Sequence, residues 1–257
     1  MLRLRTVVCL VSYLACQSHV YADEALNAFR LGEFRKAAKL FKQTSPQSGD
    51  DFYALGEMYL YGYGLPRNID QAIQAYTKAA EMHVLPAMQV MARYELFIKH
   101  QPDVALNWFK KAAELQDLSA LMYCSAAYLH GLGTEVNQDI AKKYFISAAK
   151  MGEPLAQLTL AQHFFDAKNG KNTQLAWIWL NKACDKNYAP ALIYKADLLK
   201  QGRYIAADAK QADMLLEQAS KTDSVGVWKQ KAQWAQNEKQ WDEAVKLYQM
   251  AIDKGCL

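Results

Sequence analysis

An all-α array of about seven helical hairpins is the fold this sequence predicts, and three observations predict it. The composition is that of a folded protein: of 257 residues, 52% are hydrophobic and 22% charged, outside the polar, charge-rich range of disordered chains. A self-similar ending recurs along the chain, with its first alanine at Ala79, Ala112, Ala148, Ala183, Ala219 and Ala251, spaced 33, 36, 35, 36 and 32 residues apart. Within each period the apolar residues fall three and four positions apart in two stretches split by a turn, which is the pattern of two amphipathic helices. A single hairpin of that kind cannot bury its apolar stripe, so neighbours must stack.

Residues 1–22 read apart from the array. Arg3 and Arg5 supply a positive start, residues 6–15 form a short apolar core, and Val20-Tyr21-Ala22 precedes acidic Asp23-Glu24. That is the pattern of a secretory signal peptide cut after Ala22, which places the protein in the periplasm or outside the cell. The apolar run falls far short of the ~20 residues of a membrane span. A competing cut is written in Leu14-Ala15-Cys16-Gln17, an imperfect lipobox with Tyr13 where leucine is preferred; it would leave an outer-membrane lipoprotein acylated on Cys16. No later segment approaches a membrane span. Cutting after Ala22 removes two of the 30 basic residues and none of the 26 acidic ones, leaving 28 − 26 = +2. So small a charge does not single out nucleic acid or anionic lipid as a partner.

The repeat is clearest in two copies. One runs from Tyr53-Ala-Leu-Gly56 through Tyr61-Gly62-Tyr63-Gly64 to Ala79-Ala80; its best match runs from Tyr123 through His130-Gly131-Leu132-Gly133 to Ala148-Ala149. First helices are predicted over 54–61, 87–98, 120–130, 156–165 and 191–200. Each carries a small residue where helices approach closely: Gly56, Ala92, Ser125, Ala161 and Ala196. Second helices carry Ala-x-x-x-aromatic-x-x-Ala or its leucine form: Ala72/Tyr76/Ala79, Ala105/Phe109/Ala112, Ala141/Phe145/Ala148 and Ala176/Leu180/Ala183. The turn glycines supply positive φ where the chain reverses. Without a preceding strand or a third glycine they are not a phosphate loop. Pro86, Pro154 and Pro190 mark helix starts.

Leu-Gly-x-x-Tyr-x-x-Gly-x-Gly followed by Ala-x-x-x-Tyr-x-x-Ala-Ala resembles the Sel1-like repeat, a relative of the tetratricopeptide repeat. The resemblance covers about residues 52–224 in five units and implies a right-handed superhelical solenoid. The unit at 87–119 departs from it, since Phe97-Ile-Lys-His-Gln-Pro102 replaces the glycine turn; the next two units keep one turn glycine each, Gly170 and Gly202. Residues 23–51, with Ala25, Ala37 and Phe41, and residues 225–257, with Ala232, Ala244, Tyr248 and Ala251, resemble ordinary tetratricopeptide hairpins that cap the array.

Few residues suggest chemistry. No two histidines among His83, His100, His130 and His163 stand at metal-ligand spacing, and His163 with Asp166 offers only two ligands. No serine lies in Gly-x-Ser-x-Gly. Beyond the signal peptide there are three cysteines, Cys124, Cys184 and Cys256, 60 and 72 residues apart. No zinc spacing or disulfide framework is written in them, though one bridge stays open. Cys124 and Cys184 fall on apolar helix stripes and read as small buried hydrophobes. The paired cysteines in each repeat of the family's cysteine-rich branch are absent. No metal, cofactor or catalytic group is predicted.

The resemblance implies protein binding on the concave face lined by first helices. Under tetratricopeptide geometry that face presents Tyr53, Glu57, Gln89, Arg93, Met122, Leu158, Gln162, Ile193 and Asp197. This mixture of apolar groups and both charge signs fits a protein or peptide partner, with a cell-envelope polymer as a further class. The family's secreted bacterial members point to adaptor work in envelope assembly, export, cell-wall regulation, motility or host contact. The alternative reading is an envelope hydrolase with its site in the superhelical groove.

Overall fold

The computed structural model describes residues 23–166 and 172–255. The predicted signal peptide with Cys16, as well as Gly170 and Cys256, lies outside the described residues. Those residues are helical throughout, with no strand among them. The chain divides into two compact units that meet at Asn137 and Gln138.

The first unit contains α1 (23–30), α2 (Phe34–Thr44), α3 (Gly49–Tyr61), α4 (Ile69–Glu81), α5 (Leu85–Arg93), α6 (Pro102–Glu114) and α7 (Leu118–His130). The second contains α8 (Gln138–Lys150), α9 (Pro154–Asp166), α10 (Thr173–Asp185), α11 (Ala189–Gln201), α12 (Ala209–Ser220), α13 (Ser224–Asn237) and α14 (Trp241–Gly255). Odd-numbered helices are the first helices of the repeats and even-numbered ones the second. Within the first unit α4 packs on α3 and α5, and α6 on α5 and α7; within the second every helix from α8 to α14 packs on its sequence neighbours. First helices also touch one another there, α9 to α11 and α11 to α13.

The predicted small residues sit where helices cross. Gly56, Ala92, Ser125, Ala161 and Ala196 are all buried, as are Ala72, Ala79, Ala105, Ala112, Ala141, Ala148, Ala176 and Ala183. Gly56 shows why size matters: a Cβ there would lie 2.6 Å from the ring of Tyr76. The prolines act as read. Pro154 opens α9, and Pro86 and Pro190 stand in the first turn of α5 and α11, where a missing N–H costs nothing.

The turn after a first helix recurs as a unit. The N–H groups of Tyr63, Leu132 and Arg203 donate to Met58, Ala127 and Leu198. Those of Asn68, Asn137 and Asp208 donate back to Tyr59, Tyr128 and Leu199. Gly62, Gly131 and Gly202 close their helices in the left-handed conformation. The second left-handed position holds Gly64, Gly133 and Tyr204. A Cβ on Gly64 would overlap the Phe34 carbonyl at the start of α2, and one on Gly133 the Pro102 carbonyl at the start of α6. The Gly-x-Gly pair therefore caps one helix and seats the turn on the preceding hairpin. Tyr204 makes that seat another way, stacking its ring on Phe165 of α9 at 4.7 Å.

The irregular unit has its own solution. In place of the glycine turn, α5 runs into a π-helical turn at Tyr94–Ile98, and His100 takes the left-handed conformation before Pro102 opens α6. The return turns from second to first helices use left-handed residues too: His83, Gln116 and Asn187, with Gly152 in the equivalent place.

Cys124 and Cys184 are buried in these cores, and neither is joined in a disulfide. Burial pushes the Cys184 thiol up to about 11 and the Tyr194 hydroxyl up to about 12, Asp166 adding to the latter. In the unfolded chain the two groups ionise nearer 9 and 10. Above pH ~9 the unfolded state thus binds fewer protons than the native one, and the stability these groups supply is lost as pH rises towards 12. Denaturant melts at pH 8 and 10.5 should show that loss. Cys184→Ala combined with Tyr194→Phe should reduce it, other buried tyrosines such as Tyr76 supplying the remainder; an unchanged alkaline slope in the double variant would contradict the assignment.

Candidate partner-binding surface

The predicted face is built from positions three before and one after the small residue of each first helix. In the first unit α3 and α5 bring three of these together. Tyr53 is half-buried, its ring 5.7 Å from that of Tyr76. Burial raises the Tyr53 hydroxyl above its usual range, the Glu57 carboxylate adds to the rise, and the Arg93 guanidinium opposes it. Glu57 accepts a 2.6 Å hydrogen bond from the Tyr76 hydroxyl. Burial, and then that bond, hold the Tyr76 hydroxyl well above its usual range. Arg93 is exposed, and its Nε donates to the Gln89 carbonyl at 3.3 Å.

Gln89 reaches forward instead of outward. Its Nε2 donates at 2.9 Å to Asp117, the N-cap of α7, whose other oxygen accepts from the Ala120 N–H at 2.8 Å. Met122 is half-buried on α7.

In the second unit the same register carries mostly structural side chains. Leu158 is a correction to the predicted face: it is buried in the core with Phe165, Leu180 and Leu192. Ile193 packs against that core, and its Cδ1 lies 3.0 Å from where a Cβ on Gly226 would be. Asp197 is a junction between repeats. It accepts from Gln201 Nε2 at 2.8 Å, from Gln230 Nε2 at 2.8 Å and from the indole N–H of Trp234 at 2.9 Å. Gln162 stays half-buried.

The partners of Glu57, Gln89 and Asp197 lie 19, 28, 33 and 37 residues away. The repeat register carried a signal for them, since a first helix must meet both its own second helix and the next hairpin. The histidines do not gather: His83 and His100 occupy turns, His130 ends α7, and His163 lies exposed on α9. Among the described residues no group of three or more His, Cys, Asp or Glu could hold a metal. No helix there is long and apolar enough to cross a membrane.

Comparison with known families places this geometry. The Sel1 repeat model matches residues 53–84, 87–117, 118–153, 155–188 and 239–256. The chain belongs to the Sel1 repeat family. Its repeats are protein–protein interaction modules, and its members are typically scaffolds without catalysis. The last match falls within the C-terminal segment read above as tetratricopeptide-like.

A protective antigen of uropathogenic Escherichia coli with an SLR fold superposes with a TM-score of 0.74 at 18% identity, over 91% of this chain and 54% of the antigen. A Sel1 repeat protein from Oxalobacter formigenes superposes with a TM-score of 0.63 at 22% identity, over 90% and 96% of the two chains. Both likenesses are of fold. In sequence, an uncharacterized protein of Neisseria meningitidis serogroup B is 29% identical over 123 residues, 48% of this chain and 26% of that protein. An exopolysaccharide production negative regulator of Rhizobium meliloti is 24% identical over 172 residues, 65% of this chain and 56% of the regulator. This Sel1 repeat chain therefore spans about a quarter and about half the length of these two relatives.

Proposed function

We propose that this Sel1 repeat protein is an adaptor for a protein partner, acting in complexes of the bacterial envelope after export. The observation that carries this reading is the convergence of Tyr53, Glu57 and Arg93 from two successive first helices. An aromatic hydroxyl, a carboxylate and an exposed guanidinium stand side by side on a rigid frame, and Met122 on α7 continues the register. Such a surface reads an extended peptide or a partner helix by spaced polar contacts flanked by apolar ones. The Rhizobium regulator of exopolysaccharide production supports an envelope-related role, as does the signal-like pattern of residues 1–22.

Affinity capture from envelope extracts tests both parts. The wild-type protein should retain a defined partner, and Tyr53→Ala, Arg93→Ala and Met122→Ala together should release it while the helical melting profile is kept. Retention of the same partner by the triple variant would sink the surface. The exported protein should begin at Asp23; an acylated Cys16 would instead establish the lipoprotein cut.

A further inference from the structure

The seam between α12 and α13 in the second unit is open where its equivalents are shut. Ser220 is exposed, yet it holds the repeat position of Ala80, Ala113, Ala149 and Cys184, none more than 8% exposed. Across the seam Trp228 is half-buried, at the position of Met88, Leu121, Gln157 and Leu192, none more than 4% exposed. The row on which other first helices close also carries a larger group here, Val227 in place of Ala87, Ala120, Ala156 and Ala191. Between the helices lies a pocket of about 490 Å³ floored by Trp228, Val227 and Met214, a size typical of small-ligand sites.

The charges that line it are balanced. Glu217 on α12 and Lys231 on α13 hold the positions of Asn181 and Lys195, which bond at 2.8 Å one repeat earlier. Here the two side chains are of opposite sign, yet among the described residues neither joins an ion pair. Lys210 and Asp213, three residues apart on α12, line the pocket as well and offset each other. With two groups of each sign, the lining favours neither an anion nor a cation; it suits a molecule carrying both charges. The Ser220 hydroxyl donates to the Glu217 carbonyl at 2.7 Å, which leaves its lone pairs free to accept. Outside the lining, Lys254 of α14 lies over the Trp228 ring at 5.8 Å and steadies it.

We propose that the α12–α13 seam binds a free α-amino acid with an apolar side chain. The ammonium takes the Glu217 carboxylate and the Ser220 oxygen, the carboxylate takes the Lys231 ammonium, and the side chain lies against Trp228 and Met214. The head group thereby bridges two charges that the protein leaves apart, through charge-assisted hydrogen bonds at both ends. This site lies wholly in the second unit and does not rest on the partner reading of Tyr53, Glu57 and Arg93.

Isothermal titration calorimetry of the full chain with L-leucine, L-methionine and L-phenylalanine tests this. At least one should bind with a Kd below about 1 mM, and its N-acetyl and amide forms should bind at least about tenfold more weakly. Glu217→Gln and Lys231→Met, both at exposed positions, should each weaken binding about tenfold with helix content unchanged. Ser220→Leu, which fills the seam, should abolish binding. No binding by any of the three amino acids, equal binding of a blocked form, wild-type affinity in both charge variants, or binding kept by Ser220→Leu would each overturn the proposal.

Discussion

Replacing Tyr76 with alanine is expected to cost the first unit about 4 kcal/mol of stability, the range for emptying a buried aromatic site. Tyr76 is only 1% exposed, lies against Gly56 where no Cβ could fit, and donates its hydroxyl to Glu57. Alanine would leave a cavity that Gly56 cannot fill, and would take one donor from a half-buried carboxylate that Tyr53 also contacts. Tyr76→Phe keeps the ring and removes only the bond, so it should cost about 1 kcal/mol. Urea denaturation of the three proteins separates packing from hydrogen bonding. If the alanine and phenylalanine variants lose the same amount, the ring is not the wedge described. Gly56→Ala should also destabilise, and less so in a Tyr76→Ala background, because the two sites share one volume.

Gly133→Ala is the second large effect, at about 3 kcal/mol, combining a strained positive φ with a clash. At φ +71° its new Cβ would run into the Pro102 backbone, and backbone at a helix start has no rotamer by which to move aside. Gly131→Ala offers the comparison two residues earlier. It has φ +75° but its nearest neighbours lie at 3.3 Å, so it should lose only about 1 kcal/mol, the cost of the left-handed conformation. Hydrogen exchange should show the Gly133 variant opening first at the start of α6. Equal losses at the two glycines would mean that the seat on the preceding hairpin contributes nothing.

Helices were legible wherever small and bulky residues alternated at helical spacing, because that spacing is itself the packing requirement. Gly56, Ser125 and Ala196 could be read as buried from sequence because small residues recur at that position, and at Gly56 even a Cβ would run into Tyr76. The candidate surface was legible only in register. Leu158 and Tyr53 hold the same repeat position, yet one is core and the other half-exposed, a difference that the repeat register alone does not carry. The charge of Asp197 suggested solvent, whereas Gln230 and Trp234 claim it from 33 and 37 residues on. Contacts of that span follow from how hairpins stack, which short-range periodicity does not encode. The π-turn at Tyr94–Ile98 was visible only as a missing glycine turn, without its remedy.

The two kinds of turn differ in what they would let evolution do. At the Gly-x-Gly turns the chain must keep a close fit with the hairpin before it. At the return turns after α4, α6, α8 and α10, His83, Gln116, Gly152 and Asn187 share only a backbone conformation, and a Cβ at Gly152 would meet nothing within 4 Å. Gene duplication or deletion joined at a return turn inherits a junction that accepts histidine, glutamine, glycine or asparagine alike. Repeat number can then change by whole hairpins without a new steric fit being found, a cheap route to lineages of very different length.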